Sequence, residues 1–377
     1  MIAATTVPAA QRAERFRPNQ FRHATTIATP AAYRDGRWET FEPKPAVDRT
    51  LLGRVFRLRP GLTFTPYANP TPCNAHCSFC SEELLRIDAD RLTAKRTITD
   101  YDQYFAALDR AWRELDGFTM GLSLSGLEAT SEPEWLLRLL ALLDEHPQLF
   151  AERVLYTNGS GLATDARLVP ALARARFDRV ELSRAHFDER RNHRIMRFDL
   201  AQPIRRRAVF EQTVRALRAQ ATDVRLVCIL NDEGVSTIEG VEEYIAEARA
   251  LGVDRVVFRE LSVLGEIYLE NRETKWIDRH RAPVRALMER VLPSADAPCE
   301  VENVCREGWA LEGVTAGYYY YNEVYRRDGV EVVLEGSSYV AHRDAVESGV
   351  LQKLVFHSTM ELCGDWVPNA QVIGRYG

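Results

Sequence analysis

Cysteine is scarce in this chain, with 7 residues among 377, an odd number. So few thiols exclude a disulfide framework, and a chain of this length can build its own core without one. Apolar runs are short as well. None approaches the ~20 residues of a membrane-spanning helix, and no cleavable leader opens the sequence, so the cytoplasm is the expected compartment and no membrane partner is expected. Positive charge is in deficit: 49 Lys and Arg stand against 54 Asp and Glu, a formal net charge of -5. Phosphate backbones call for the opposite balance, so no nucleic-acid partner is expected. Lysine is nearly missing, being confined to Lys44, Lys95, Lys275 and Lys353. The remainder, 46% hydrophobic and 27% charged, is an ordinary globular composition. It suffices for one α/β barrel and an appendage.

Three of the seven cysteines are gathered in one stretch, TPCNAHCSFCSE, where Cys73, Cys77 and Cys80 form C-x3-C-x2-C with Phe79 just before the third. Three thiolates at this spacing ask for a metal. A structural zinc site would need four closed ligands. His76 could complete C-x2-H-C-x2-C, but it is adjacent to Cys77, and no second knuckle lies nearby. Iron–sulfur clusters are held by cysteine thiolates, normally four, so a compact set of three leaves one iron of a [4Fe–4S] cube open to a small molecule.

Residues 1 to about 60 are rich in Ala, Pro, Thr and Arg without sustained apolar periodicity, and are expected to form an extended arm with a disordered start. A rhythm follows. Strand patterns occur at 62–68, 119–126, 153–159, 179–183, 224–230 and 255–261, each running into a polar or glycine-bearing loop. Helical patterns separate them. In the first, Phe105, Leu108, Trp112 and Leu115 recur at i, i+3, i+7 and i+10, with Asp100 placed as the N-cap. Gly252 is placed as a C-cap before the sixth strand. Strands alternating with helices predict a parallel sheet joined by right-handed crossovers, curling into a partial or full barrel.

The cysteine loop with its aromatic residue resembles the signature of the radical S-adenosylmethionine (radical SAM) superfamily. The resemblance covers roughly residues 60 to 265 and implies a partial (β/α)6 barrel of the radical SAM type, spanning 61–265, with a C-terminal α+β extension over 266–377 covering the barrel mouth. It also implies two cofactors, a [4Fe–4S] cluster on Cys73, Cys77 and Cys80, and S-adenosylmethionine chelating the open iron. Reduction then gives a 5'-deoxyadenosyl radical, which requires a flavodoxin or ferredoxin type of electron donor.

In such barrels the site lies at the C-terminal ends of the strands. Ser125-Gly126-Leu127-Glu128 resembles the glycine-glycine-glutamate motif that receives the methionyl ammonium, with Leu127 departing from the second glycine. Thr157-Asn158-Gly159 is similar to the segment near the ribose. Ser183 and Arg184 end the fourth strand, where Ser183 would face the carboxylate or ribose and Arg184 offers a planar fork for a carboxylate. His186 reads as a loop bystander. Arg259 and Glu260 must face opposite ways, and Arg259 is expected to face inward. The cofactor-binding set implied by the resemblance is therefore Phe79, Ser125, Gly126, Glu128, Asn158, Ser183, Arg184 and Arg259.

Beyond the barrel, a helix is expected around PVRALMERVL, and Arg327-Asp328-Gly329 is expected to turn a hairpin. Tyr318 to Tyr321 should alternate between faces. Cys228 reads as a buried apolar thiol. Cys299, Cys305 and Cys363 stay open between structural thiols, an auxiliary cluster and a hydrogen-atom donor. The function expected is hydrogen-atom abstraction from a small molecule, a sugar or nucleoside of bacterial specialised metabolism such as antibiotic biosynthesis. A peptide-modifying radical SAM enzyme and a zinc-stabilised binding protein are the alternatives.

Overall fold

The computed structural model describes residues 31–34, 37–40, 45–67, 73–80, 98–261, 270–292, 305–316, 320–337 and 347–377. Cys299, Tyr318 and Tyr319 lie outside them, as does most of the N-terminal arm. Along the chain, β1 (Ala31–Arg34), β2 (Arg37–Thr40), β3 (Val47–Leu51) and β4 (Arg54–Pro66) precede α1 (Tyr101–Glu114). Then come β5 (Met120–Leu124), α2 (Pro133–Glu145), β6 (Phe150–Thr157), α3 (Ser160–Thr164), α4 (Leu168–Arg174) and β7 (Arg179–Ser183). Next are α5 (Glu189–Met196), α6 (Arg207–Ala219), β8 (Val224–Leu230), α7 (Ile238–Ala250) and β9 (Arg255–Glu260). The rest is α8 (Arg272–His280), α9 (Val284–Val291), β10 (Trp309–Ala316), β11 (Tyr320–Arg327), β12 (Val330–Ser337), β13 (Leu351–Phe356), β14 (Glu361–Cys363) and β15 (Val372–Arg375). All six predicted strands are present, with helices between them, and the fold class is α/β.

Two compact units share the chain, one of Lys44–Ser183, Met196–Val224 and Val346–Gly377, the other of Met1–Pro43, Arg184–Ile195 and Arg225–Ala345. In the first, β4, β5, β6 and β7 pair in parallel order. On its other side β4 is covered by β13, also parallel, which continues antiparallel into β14 and β15. The N-terminal half of β4 forms an antiparallel hairpin with β3 around the Leu52-Gly53 turn.

Helix α1 shows why this unit packs. Asp100 caps it by accepting from the Gln103 amide at 2.9 Å. Its predicted apolar stripe of Phe105, Leu108, Trp112 and Leu115 is buried in full. Trp112 meets Phe64 of β4 at 6.0 Å and Phe150 of β6 at 5.1 Å, both edge to face, and Tyr104 meets Phe356 of β13 at 5.5 Å. One face of the sheet, carrying Phe64, Leu122, Leu124 and Phe356, is thereby closed by α1. By strand alternation Thr63, Thr65, Ser123, Lys353 and Val355 belong to the opposite face.

In the second unit β8 pairs in parallel with β9, and β9 with β12, after which β11, β10, β1 and β2 continue antiparallel. The predicted hairpin turns on Asp328 and Gly329, both at positive φ (51° and 83°), the signature of a two-residue turn. Cys228 and Phe258 lie on the face covered by α7, where Tyr244 meets Phe258 at 5.3 Å. Val227, Val257 and Val333 form a cluster on the other. Tyr321 and Tyr325 are wholly buried and both donate to the Glu323 carboxylate between them. A carboxyl group so deep is tolerated only when its oxygens are satisfied.

Replacing Trp112 by Ala should cost about 3–5 kcal/mol, since a fully buried aromatic leaves a large cavity against Phe64 and Phe150. Equilibrium denaturation is the measurement, and a loss below about 1 kcal/mol would contradict this packing.

Candidate functional site

The cysteine loop is tied down on both sides. The Cys80 amide donates to the Cys77 carbonyl at 3.0 Å, and Ala75 bridges to Phe198. The His76 amide donates to the Arg197 carbonyl at 3.1 Å, the Asp199 amide to the Asn74 carbonyl at 3.2 Å, and Arg197 Nε to the His76 carbonyl. His76 itself is exposed and turns its Nε2 toward Asp199, 3.6 Å away, instead of completing a ligand set with the cysteines.

Cys73, Cys77 and Cys80 are all partly accessible thiols, none in a disulfide. Burial, then the neighbouring Cys80 and Cys73, push the Cys77 thiol well above its ordinary pKa, and Arg197 offsets this in part. The three thiols are thus within electrostatic reach of one another. Among the described residues no three His, Cys, Asp or Glu side chains converge as a closed ligand set. The donor chemistry, three thiols in one short loop, fits an iron–sulfur cluster.

A buried carboxylate organises the adjoining loops. Glu128, 4% exposed, accepts from the Thr130 amide at 3.1 Å, the Thr130 hydroxyl at 2.6 Å, the Thr157 hydroxyl, and the Asn158 amide at 2.6 Å. Burial raises its pKa, while these hydrogen bonds act in the other direction. Glu128 therefore points into the protein, holding the loop after β5 to the loop after β6. Gly126 precedes it at φ +102°, and an added Cβ would lie 2.7 Å from the Tyr67 ring, so this turn accepts no side chain. Ser125 is half-buried, with its hydroxyl 3.0 Å from that of Ser123.

Asn158 extends the connection to the cysteines. Its Nδ2 donates to Asn74 Oδ1 at 3.0 Å and lies 3.9 Å from Cys73 Sγ, while its Oδ1 accepts from the Ser160 amide at 2.9 Å. Asn74 Nδ2 in turn donates to Ser160 Oγ at 2.7 Å. The next residue, Gly159, starts α3 at φ +81°, with Leu182 2.7 Å from where a Cβ would sit. The structure thus brings Cys73, Glu128 and Asn158 into one network within one unit. Asn74, Thr130 and Ser160 belong to it and were not foreseen, although Asn74 lies inside the cysteine motif and Thr130 only two residues beyond Glu128.

The other expected residues are distributed otherwise. Phe79 and Ser183 are half-buried in the same unit. Arg184 belongs to the second unit, 1% exposed, with Nε donating to the His186 carbonyl at 3.0 Å and its own carbonyl accepting from Tyr244. His186 Nδ1 accepts from the Asp188 amide, and burial, then Arg191, lower its pKa. Arg259 and Glu260 do face opposite ways: Arg259 forms an ion pair with Glu335 on β12, and Glu260 with Arg281. Cys228 is buried with Sγ 3.4 Å from the Ala185 carbonyl, and burial raises its pKa strongly. Cys363 is buried too, its thiol pushed up to about 12, chiefly by burial. Cys305 is 3% exposed.

On the sheet face opposite α1, the C-terminal segment adds side chains that the sequence did not connect to this site. The Lys353 amine lies over the Trp366 ring at 5.0 Å, and Trp366 reaches back to Gly126 and Tyr67, 6.1 Å from the latter's centroid. His357, 1% exposed, lies 5.6 Å from Tyr67. Burial lowers the Lys353 pKa to about 8, with Asp365 acting in the opposite direction.

No protein-family model and no curated protein sequence matches this chain. Solved structures that it resembles include radical SAM enzymes. Streptococcus suis SuiB bound to S-adenosylmethionine is 16% identical over 55% of this chain and 42% of its own, with TM-score 0.39. Coproporphyrinogen III oxidase (HemN) from Escherichia coli, a radical SAM enzyme, is 15% identical over 71% and 67%, with TM-score 0.39. The radical S-adenosylmethionine methyltransferase TsrM from Kitasatospora setae is 13% identical over 62% and 40%, with TM-score 0.41. The chain thus spans about two fifths of SuiB and of TsrM. At this distance the chemistry must be read from this chain's own residues.

Asn158→Ala should remove the bonds that its amide makes to Asn74 Oδ1 and toward Cys73 Sγ, so iodoacetamide should alkylate Cys73, Cys77 and Cys80 in metal-free protein several-fold faster, with Cys228 still protected; mass spectrometry of the labelled peptides reads this directly. A second expectation concerns pH. Between about 8 and the ordinary 10.5, unfolded Lys353 binds more protons than folded, so its contribution to stability rises with pH across that window by about 3 kcal/mol. Below it the burial penalty is present in full. Lys353→Met should therefore be more stable than the parent protein at pH 7 and lose that advantage near pH 10.5, as followed by denaturant titration at each pH.

Proposed function

We propose that this chain is a radical SAM enzyme that acts on a small organic substrate, with Cys73, Cys77 and Cys80 holding a [4Fe–4S] cluster. The observation that carries this reading is the bracing of a C-x3-C-x2-C loop, through Asn158 and Glu128, to the two strand-end loops whose motifs resemble the superfamily's cofactor-binding segments. When bound, the cluster would supply the electron that cleaves S-adenosylmethionine and releases the hydrogen-abstracting 5'-deoxyadenosyl group.

The protein's own part is orientation and exclusion of water. Asn74 and Asn158 set the position of the cysteine loop. Glu128, occupied by internal donors, acts by shaping the Ser125-Gly126 backbone, whose exposed turn offers carbonyl oxygens to a ligand ammonium. Ser125 and Ser183 are the hydroxyls at the ends of β5 and β7. Phe79 lies between the second and third thiols. A flavodoxin or ferredoxin type of protein supplies electrons, and the substrate is a sugar or nucleoside.

Protein reconstituted anaerobically with iron and sulfide should be brown and carry about four irons per chain. With dithionite it should convert S-adenosylmethionine to 5'-deoxyadenosine. Alanine at Cys73, Cys77 or Cys80 should abolish both properties, and Cys228→Ala should preserve both. A colourless protein that takes up zinc and leaves S-adenosylmethionine intact would refute the reading.

A further inference from the structure

The C-terminal segment places a cation where the proposed reaction needs an anchor. Strand β13 enters the sheet beside β4 in parallel register, Lys353 opposite Thr63 and Val355 opposite Thr65. Thr63 in turn pairs with Gly121 of β5. That register fixes which way Lys353 points, because Leu354 and Phe356 take the face closed by α1 and leave Lys353 on the other. Around it the lining is small, since Thr63 is its cross-strand neighbour on β4 and Gly121 the next residue along that row on β5. A methyl group added at Gly121 would only just touch Thr63, at 3.7 Å.

The side chain reaches the Trp366 ring, and Trp366 packs on Gly126 of the Ser125-Gly126-Leu127-Glu128 turn. Among the described residues Lys353 has no ion-pair partner. Asp365 is the charge that acts on it, with one carboxylate oxygen already accepting from the Val367 amide at 3.2 Å. A half-buried ammonium that has an aromatic face on one side and no carboxylate at ion-pair distance among the described residues is under-compensated, and an anionic ligand group is what compensates it.

We propose that Lys353 is the anchor for an anionic group of the substrate, a carboxylate or a phosphate, on the sheet face opposite α1. This rests on the reading of the chain as a radical SAM enzyme and narrows its substrate class to anionic molecules. Burial, by lowering the pKa of Lys353, prepares it for this role, since pairing with an anion restores the proton affinity that burial removes.

The chain has only four lysines, which makes the test direct. Anaerobically reconstituted protein is acetylated with trace isotope-coded acetic anhydride at pH 8, with no added anion, with inorganic phosphate, or with succinate, at equal ionic strength. Each lysine is then quantified by mass spectrometry. At an anion concentration ten times its dissociation constant, acetylation of Lys353 should fall about tenfold, while exposed Lys275 should not change. Protection by phosphate alone assigns a phosphorylated substrate, by succinate alone a carboxylate, and by both the shared anion chemistry. If neither anion slows Lys353 more than Lys275, the anchor proposal is overturned. Iron content and 5'-deoxyadenosine formation, measured on the same preparation, keep the two readings apart. A brown, S-adenosylmethionine-cleaving protein without protection removes only the anchor, whereas protection in a protein that holds no iron removes only the radical SAM reading.

Discussion

The site depends on one buried carboxylate. Glu128 lies 4% exposed and spends both oxygens on donors from Thr130, Thr157 and Asn158. A carboxyl group in that position would be costly if any of these donors were lost, because burial leaves no water to replace them. The same bonds force the loop after β5 and the loop after β6 into a single arrangement. Asn158, held through its backbone by Glu128, then uses its side chain on Asn74 inside the cysteine motif. A charge 48 residues from the last cysteine of the motif thereby sets where the thiols stand.

Sheet edges impose the second constraint. Strand β4 would expose a row of unsatisfied amides and carbonyls beside β5, and β13 covers them in parallel register. Strand β9 is covered in the same way by β12. Both covering strands come from the 266–377 segment, so the part of the chain expected to be an appendage contributes to the sheets themselves. Through β13 it also delivers Lys353, His357 and Trp366 to the face that bears Tyr67 and Gly126.

Local patterns were legible wherever chemistry and period coincide over a few residues. The six strands, the stripe on α1 with its Asp100 cap, the Asp328-Gly329 turn and the burial of Cys228 all follow from alternation, helical spacing, positive-φ residues or apolar context. The opposition of Arg259 and Glu260 follows from the pleat. Glu128 stood out in the sequence by its motif but not by its orientation: a glutamate at a strand end reads as a group presented to a ligand, and only the donors around it reveal that it turns inward. Arg184 was read as a fork offered to a carboxylate, and the structure buries it against the His186 carbonyl.

By itself the sequence determined that three thiols lie close together, since three cysteines within eight residues stay near one another through chain connectivity alone. It determined the α/β class as well, because hydrophobic period is a local property. What only the tertiary structure decided is which distant segments meet. Nothing local to Lys353 announces Thr63 as its neighbour, and nothing local to Asn74 announces Asn158, since both pairings arise from strand registers and loop contacts between segments 84 residues apart or more. Burial, too, is a collective property, and it is burial that turns Glu128 from a solvated turn residue into a brace and Lys353 from a surface cation into one that seeks an anion.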